Sequence, residues 1–305
     1  MKKFALATML VFGISSASDA ASNANGIGYF ALEVPAGHTI NVDGSLDDWA
    51  WFDPAFIYGP DDMTEILIGE MPPKSDIDLA AYTAWTGTDR DNKIFGFVRV
   101  TDDTLVVIET LLDDGWRDDD LEVVADPDAS GGPMEGEFDT RGVAGQQFTM
   151  HVVIPGQYES PYGDGSWWLR WQVAPEMHWL DELAEASTVT DPPGAGTGSV
   201  DVTVNYEFSM PLWDLAVPDG QDASVRHINE LGQTIGFGYQ LNEADNPEIR
   251  RTHQISTAGE EGASGNGDFL SEYTLLGIGE YDNQGGDATA VEAQAWGKIK
   301  STFAR

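Results

Sequence analysis

Carboxylates come in clusters along this chain. Asp43, Asp47 and Asp48 stand in "INVDGSLDDWAW", Asp102 and Asp103 close "KIFGFVRVTDD", and Asp118, Asp119, Asp120, Asp126 and Asp128 crowd "WRDDDLEVVADPD". Oxygens grouped this way suit a hard divalent cation. A structural Ca²⁺ is expected, with Asp43, Asp47, Asp102, Asp118 and Asp126 as candidate ligands. A second chemistry sits in "SWWLRWQV" (166–173). Strand alternation puts Trp167, Leu169, Trp171 and Val173 on one face, and Ser166, Trp168, Arg170 and Gln172 on the other. The first set reads as core. The second joins an indole, a guanidinium and an amide, an apolar ring beside hydrogen-bonding groups. In "WRDDDLEVV" the same alternation places Leu121 and Val123 together and turns Glu122 to the opposite, open side. Asp118 to Asp120 flank Glu122, where like charge would raise its pKa.

The elements that must hold these groups are strands. Apolar residues recur with period two in 77–85, 93–103, 121–126, 147–155, 166–173, 199–210, 234–245 and 272–282, separated by Gly, Pro, Asn and Asp clusters. Only 177–187 and the tail 292–305 have the composition of a helical turn or two. Many strands, polar turns and little helix predict an all-β antiparallel sandwich of jelly-roll or immunoglobulin-like type. No linker divides the chain; 126–137, 191–199 and 258–268 read as surface loops. In the opening stretch, Asp43-Gly44 supplies a tight turn, Asp47 or Asp48 caps a short helical turn, and Trp49 has a large face to bury.

Composition narrows the function classes. Lys and Arg number 15 against 52 Asp and Glu, a net charge of -37, so a phosphate backbone is repelled and nucleic acid is not an expected partner. The charge also suits a solvated surface in saline surroundings. Lys2 and Lys3, the apolar run Phe4–Ile14 and the small residues around Ser18-Asp19-Ala20 read as a signal peptide over 1–20, followed by a lead-in over 21–37. No later segment approaches the ~20 apolar residues of a membrane span. A secreted, extracellular or periplasmic protein is expected. The chain has no Cys, which excludes disulfides, thiolate metal sites and covalent c-type haem.

Read in order, "VDGSLDDW", "IFGFVRVTDD", "GWRDDDLEVVADPD", "YEFSMPLWDL", "IGFGYQLNEAD" with "IRR" after it, and "AVEAQAWGKIKSTF" resemble the family 9 carbohydrate-binding modules and the wider group of similar secreted domains. The resemblance covers 38–305 and implies one sandwich domain with structural Ca²⁺ and sugar held by aromatic rings. It implies a stacking role for Trp116, hydroxyl contacts for Glu122 and Gln240, and a further polar contact from Arg250 or Arg251. Two positions depart from the family pattern. Thr149 stands where a strand Arg is usual, and the loop after the Arg pair, "THQISTAGEEGASGNGD", has no aromatic. The aromatic insertion at about 155–198 offers Trp168 and Arg170 in their place.

A carbohydrate ligand bound without catalysis is the leading expectation. Three alternatives stand beside it. A glycoside hydrolase would need two carboxyls ~5–10 Å apart across a cleft. A structural or cell-surface protein would use the same scaffold without ligand. A b-type haem domain would draw on Met150, His151, His178, His227 or His253, but Met150 and His151 are adjacent on a strand and point to opposite faces.

Overall fold

The computed structural model describes residues 27–109, 112–134, 145–152, 167–170, 179–180, 183–249 and 251–281. Its strands are β1 Tyr29–Glu33, β2 Thr64–Glu65, β3 Ile77–Trp85, β4 Ile94–Thr104, β5 Asp120–Asp126, β6 Gln146–His151, β7 Trp167–Arg170, β8 Glu185–Asp191, β9 Val200–Met210, β10 Trp213–Leu215, β11 Val225–Arg226, β12 Thr234–Glu243, β13 His253–Ser256 and β14 Ser271–Leu276. Twelve join in the order β7-β6-β5-β12-β14-β1-β3-β4-β9-β8, with β13 beside β12 and β2 beside β13; β10 and β11 form a separate ribbon. This is the expected all-β sandwich.

The sandwich arises because this long sheet folds over at β1 and packs one half on the other. Leu121, Val123, Phe237, Tyr239 and Leu241 from β5 and β12 share a core with Leu79, Ala81, Val98, Val100, Val204 and Phe208 from β3, β4 and β9. The halves also meet through polar atoms. The Tyr239 hydroxyl lies 2.9 Å from Thr83 Oγ1 and donates to the Tyr82 carbonyl at 2.9 Å. Gly96 permits this closeness: a Cβ there would fall 2.3 Å from the Phe208 ring and 2.7 Å from the Tyr239 hydroxyl.

The pairing is antiparallel throughout except at β1, which runs parallel to both β14 and β3. Long connections, not hairpins, join β1 to these neighbours, so nothing imposes the antiparallel direction. A second difference lies in 177–187, read from sequence as helical. Residues 179–180 and 183 form 3₁₀ turn, but Glu185–Asp191 is edge strand β8. Its run Thr188-Val189-Thr190 is β-branched, and its pairing with β9, as at Ser187↔Glu207, overrides the local helical composition. The tail 292–305 lies outside the described residues.

The N-terminal stretch covers the outer face of β3 and β4. Trp49 packs on Trp51, Phe52, Tyr82 and Phe97 with centroids 5.8–6.4 Å apart. Its indole N–H donates to Glu207 Oε1 at 2.8 Å, and Glu207 Oε2 accepts from the Asp43 and Gly44 backbone N–H groups at 2.8 and 2.7 Å. One buried carboxylate on β9 thus fixes both the Asp-Gly turn and the tryptophan. The 3₁₀ turn Leu46–Trp49 is capped by Ser45, not by Asp47 or Asp48. Asp48 instead accepts from the Asn41 backbone and side-chain N–H groups, both at 2.8 Å.

Glu207→Ala removes the common acceptor of three N–H groups. It should cost about 3 kcal/mol, read from the urea unfolding midpoint, with Trp49 emission shifting to the red in the folded variant.

Candidate functional site

β13, β12, β5, β6 and β7 make up one half of the sandwich. Alternation sends Leu121, Val123, Ala125, Phe237, Tyr239, Leu241 and Met150 to the core and the residues between them to the other face. That other face is polar. Register sets Ser256 opposite Gln240, Gln240 opposite Glu122, Glu122 opposite Thr149, and Thr149 opposite Trp168. The next row runs Gln254, Asn242, Asp120, His151. On the far side of the first row, Val124 faces Gln147 and Gln147 faces Arg170. The register therefore unites residues that sequence placed far apart: Glu122, Gln240 and the backbone positions of Trp168 and Arg170.

The second row is wired internally. Asn242 Nδ2 donates to Asp120 Oδ1 at 2.6 Å, while Arg251 Nη1 and Gln254 Nε2 donate to Asn242 Oδ1 at 3.0 and 2.9 Å. Burial, then the Glu122 charge, pushes the Asp120 carboxyl well above its ordinary value, against the pull of Asn242 and Arg251. Burial also lowers the His151 imidazole to about 4, so the Nδ1 that stands 3.5 Å from Asp120 Oδ2 belongs to a neutral ring. In the first row Gln240 is 1% exposed and, among the described residues, its Oε1 has no hydrogen-bond partner; Glu122 is 5% exposed. A buried amide oxygen left open is costly unless something fills it.

Trp116 lies in the 3₁₀ turn Leu112–Arg117 that leads into β5. The guanidiniums of Arg251 and Arg117 stand 4.7 and 4.9 Å from its ring centroid. Arg251 also donates its backbone N–H to the Arg117 carbonyl at 2.7 Å. The indole is therefore engaged with cations, an arrangement that sequence spacing does not reveal. Arg250 lies outside the described residues.

The expected metal ligands serve several ends. Asp43 accepts from Ser45 N at 2.7 Å within the N-terminal turn, and Asp47 lies in the turn after it. Asp118 Oδ2 accepts from the Ile108 and Glu109 N–H groups at 2.7 and 2.6 Å. Asp126 accepts from Gly131 N at 2.7 Å and Ser130 Oγ at 3.3 Å, bracing the loop after β5. Asp102 accepts from Thr104 N at 2.8 Å and lies at a strand-end cluster that sequence reasoning only half saw. Among the described residues, Asp76, Asp103 and Asp245 bring one oxygen each within 4.8 Å of one another, and Asp76, Glu243 and His253 bring ligand atoms equally close. The first group is all oxygen and fits a hard cation; the second adds an imidazole. Asp76 and Asp245 were legible only as acids at strand ends, in "SDIDL" and "NEAD".

These carboxyls repel one another. Burial, then Asp245 and Asp103 beside a backbone N–H that opposes them, takes Asp102 up to about 6. Burial, then Asp76 and Asp103, takes Asp245 to about 6, and burial with Asp245 and Asp76 takes Glu243 to about 8. Asp119 is driven up by burial and by Asp102.

Two solved structures share this architecture. A family 9 carbohydrate-binding module from Caldicellulosiruptor kristjanssonii in complex with cellotriose matches at 14% identity and TM-score 0.52, over 82% of this chain and 94% of that one. The module in complex with glucose matches at 13% identity and TM-score 0.50, over 82% and 95%. The fold is that of a family 9 carbohydrate-binding module. No protein-family model and no curated protein matches the sequence. At this identity the likeness to family 9 modules is one of fold, and the site must be argued from its own residues.

The strand-end cluster sets a pH dependence. Its carboxyls have folded pKa values raised above their unfolded ones. Their contribution is fully present below about 4 and is lost as pH rises through about 6 to 8. With divalent cations chelated, the melting temperature should therefore climb as pH falls from about 8 to about 5, as scanning calorimetry would record.

Proposed function

We propose that this chain is a secreted carbohydrate-binding protein without catalysis of its own, braced by Ca²⁺, that takes a sugar on the polar face of β12, β5, β6 and β7. One observation carries the reading. The cross-strand row Gln240, Glu122, Thr149, Trp168 lines up polar groups on the face opposite the core, and among the described residues the buried Gln240 Oε1 has no hydrogen-bond partner. Glu122 and Gln240 accept hydroxyl hydrogens. Trp168, whose backbone continues the row onto β7, is the residue proposed for stacking. Arg251, held by Asn242 and by the Trp116 ring, borders the site. The fold's occurrence in modules solved with cellotriose and glucose supports the ligand class. Binding is favoured over glycoside hydrolysis by the placement of the carboxyls. Asp120 and Glu122 sit two residues apart on one strand and one face, whereas hydrolysis needs carboxyls on opposing sides of the bond.

Ca²⁺ is assigned to Asp76, Asp103 and Asp245 at the strand ends, with Asp102, Glu243 and His253 around them. The ion would supply positive charge where these carboxyls otherwise repel, and so would tie the segment before β3 to the ends of β4 and β12.

Two measurements test these assignments. Ca²⁺ should raise the melting temperature by several degrees over excess EGTA, and Asp103→Asn or Asp245→Asn should remove that increment while raising the EGTA value, because each relieves the repulsion among the carboxyls. In titration calorimetry with cello-oligosaccharides, Trp168→Ala and Gln240→Ala should each weaken binding about 10-fold, and Glu122→Gln should weaken it less than Glu122→Ala. Wild-type affinity in both Trp168→Ala and Gln240→Ala would place any sugar elsewhere on the protein.

A further inference from the structure

We propose that Asp76, Glu243 and His253 form a second metal site, for Zn²⁺, that shares Asp76 with the Ca²⁺ assigned to Asp76, Asp103 and Asp245. It differs from the Ca²⁺ site in the kind of ion it takes, and it stands whether or not a sugar binds.

Strand pairing builds most of the site. Glu243 and His253 are direct cross-strand partners at the ends of β12 and β13, two positions beyond the pair Leu241 and Ile255. Leu241 and Ile255 both enter the core, so alternation turns Glu243 and His253 to the core side, where the sheet runs out. Asp76 comes from the other half of the sandwich. It directly precedes β3, and its backbone carbonyl accepts from Asp103 N at 2.9 Å. Two carboxylate oxygens and an imidazole nitrogen thereby come within 4.8 Å of one another. A modest closure would bring them to the ~2.0–2.2 Å reach of a zinc ion. Thr252 Oγ1 donates to Glu243 Oε2 at 3.1 Å and orients that carboxyl. Asp76 and His253 are partly exposed, so an ion enters from the solvent side, and Glu243 supplies the buried oxygen.

The imidazole decides the ion. Ca²⁺ takes oxygen ligands, whereas an imidazole joined to carboxylates suits Zn²⁺. A second observation lies behind the ring. His253 Nδ1 is buried, has no hydrogen-bond partner among the described residues, and stands 3.6 Å from Glu65 Oε1. Glu65 is fixed in place: Oε1 accepts from the Leu67 and Gln254 N–H groups, both at 3.1 Å, and Oε2 from those of Ile68 and Gly69. Burial raises its carboxyl, but these four bonds outweigh that and bring it below the ordinary value. A zinc-bound histidine characteristically turns its other ring N–H to such a carboxylate. With Nδ1 toward Glu65, Nε2 is the nitrogen assigned to the metal.

The test is titration calorimetry of ZnCl₂ into the full chain, stripped with chelator and dialysed into millimolar Ca²⁺ at about pH 8. One equivalent of Zn²⁺ should bind despite the Ca²⁺. His253→Gln and Glu243→Gln should each weaken it at least about 10-fold, and a cooperative melt in EGTA confirms that each variant is folded. Both should keep the Ca²⁺ increment in melting temperature, whereas Asp103→Asn should lose that increment and keep the zinc. Co²⁺ in place of Zn²⁺ should show visible ligand-field bands that His253→Gln abolishes. Zinc affinity untouched by both His253→Gln and Glu243→Gln, or zinc fully displaced by Ca²⁺, overturns the inference and leaves the Ca²⁺ assignment standing. Loss of the Ca²⁺ increment in His253→Gln with no separate zinc equivalent also overturns it, since the two groups then hold one ion. Zinc binding that these variants weaken, in a parent that shows no Ca²⁺ increment, keeps the zinc site and removes the Ca²⁺ assignment.

Discussion

The register between β5 and β12 is the constraint on which the rest depends. With Glu122 opposite Gln240, the residues on either side, Leu121, Val123, Tyr239 and Leu241, all enter the core. A slip of one residue would reverse every side chain on the slipped strand, burying carboxylates and exposing an aromatic. Hydrophobic burial therefore fixes the register, and the register in turn lines up the polar row on the far face. The site needs no separate folding signal. It is the other side of the pattern that makes the core.

The same alternation explains why the cost of burying charge is tolerable. Asp120, Asp119 and Asp118 succeed one another at the entry to β5, and each finds different N–H partners. Asp118 takes those of Ile108 and Glu109, Asp119 those of Val106 and Ala244, and Asp120 the Asn242 amide. Backbone donors satisfy three of these six oxygens and the Asn242 side chain a fourth, without neutralising them. The residual repulsion is concentrated in two places, the strand-end cluster and the Asp120 end of the polar face. At the Asp120 end, Asp118 and Asp120 are fully buried and Glu122 nearly so, and burial holds the first two carboxyls above their ordinary range.

Much of the scaffold was legible because exposure alternates along it. Along the first six residues of β3, buried and partly exposed positions alternate, and its sequence "IDLAAYTAW" carries the same period. Where alternation fails, sequence reading failed too. β1, "YFALE", packs rings from both sides, Tyr29 on Tyr273 and Phe30 on Phe56, so it carries no period to find. β13 has four residues, and β8 is an exposed edge whose pairing comes only from β9. At the site, Glu122 and Gln240 were reachable through their strand patterns and the family resemblance. The convergence of Asp76 with Asp245 was not, because 169 positions separate them and only the pairing of β3 with β4 and the stacking of the two halves bring them together.

Trp116 shows how spacing and environment diverge. Its position before β5 matches a ring meant for stacking, yet Arg117 and Arg251 both approach it within 5 Å. An indole in such company acts as the anion would in an ion pair, holding guanidiniums through its negative faces. Arg251 is thereby anchored twice, by the ring and by Asn242. Asp120 Oδ2 accepts no hydrogen bond among the described residues and lies 3.5 Å from the neutral His151 ring. In this arrangement the tryptophan fixes the position of the cation beside the buried Asp120–Asn242 pair.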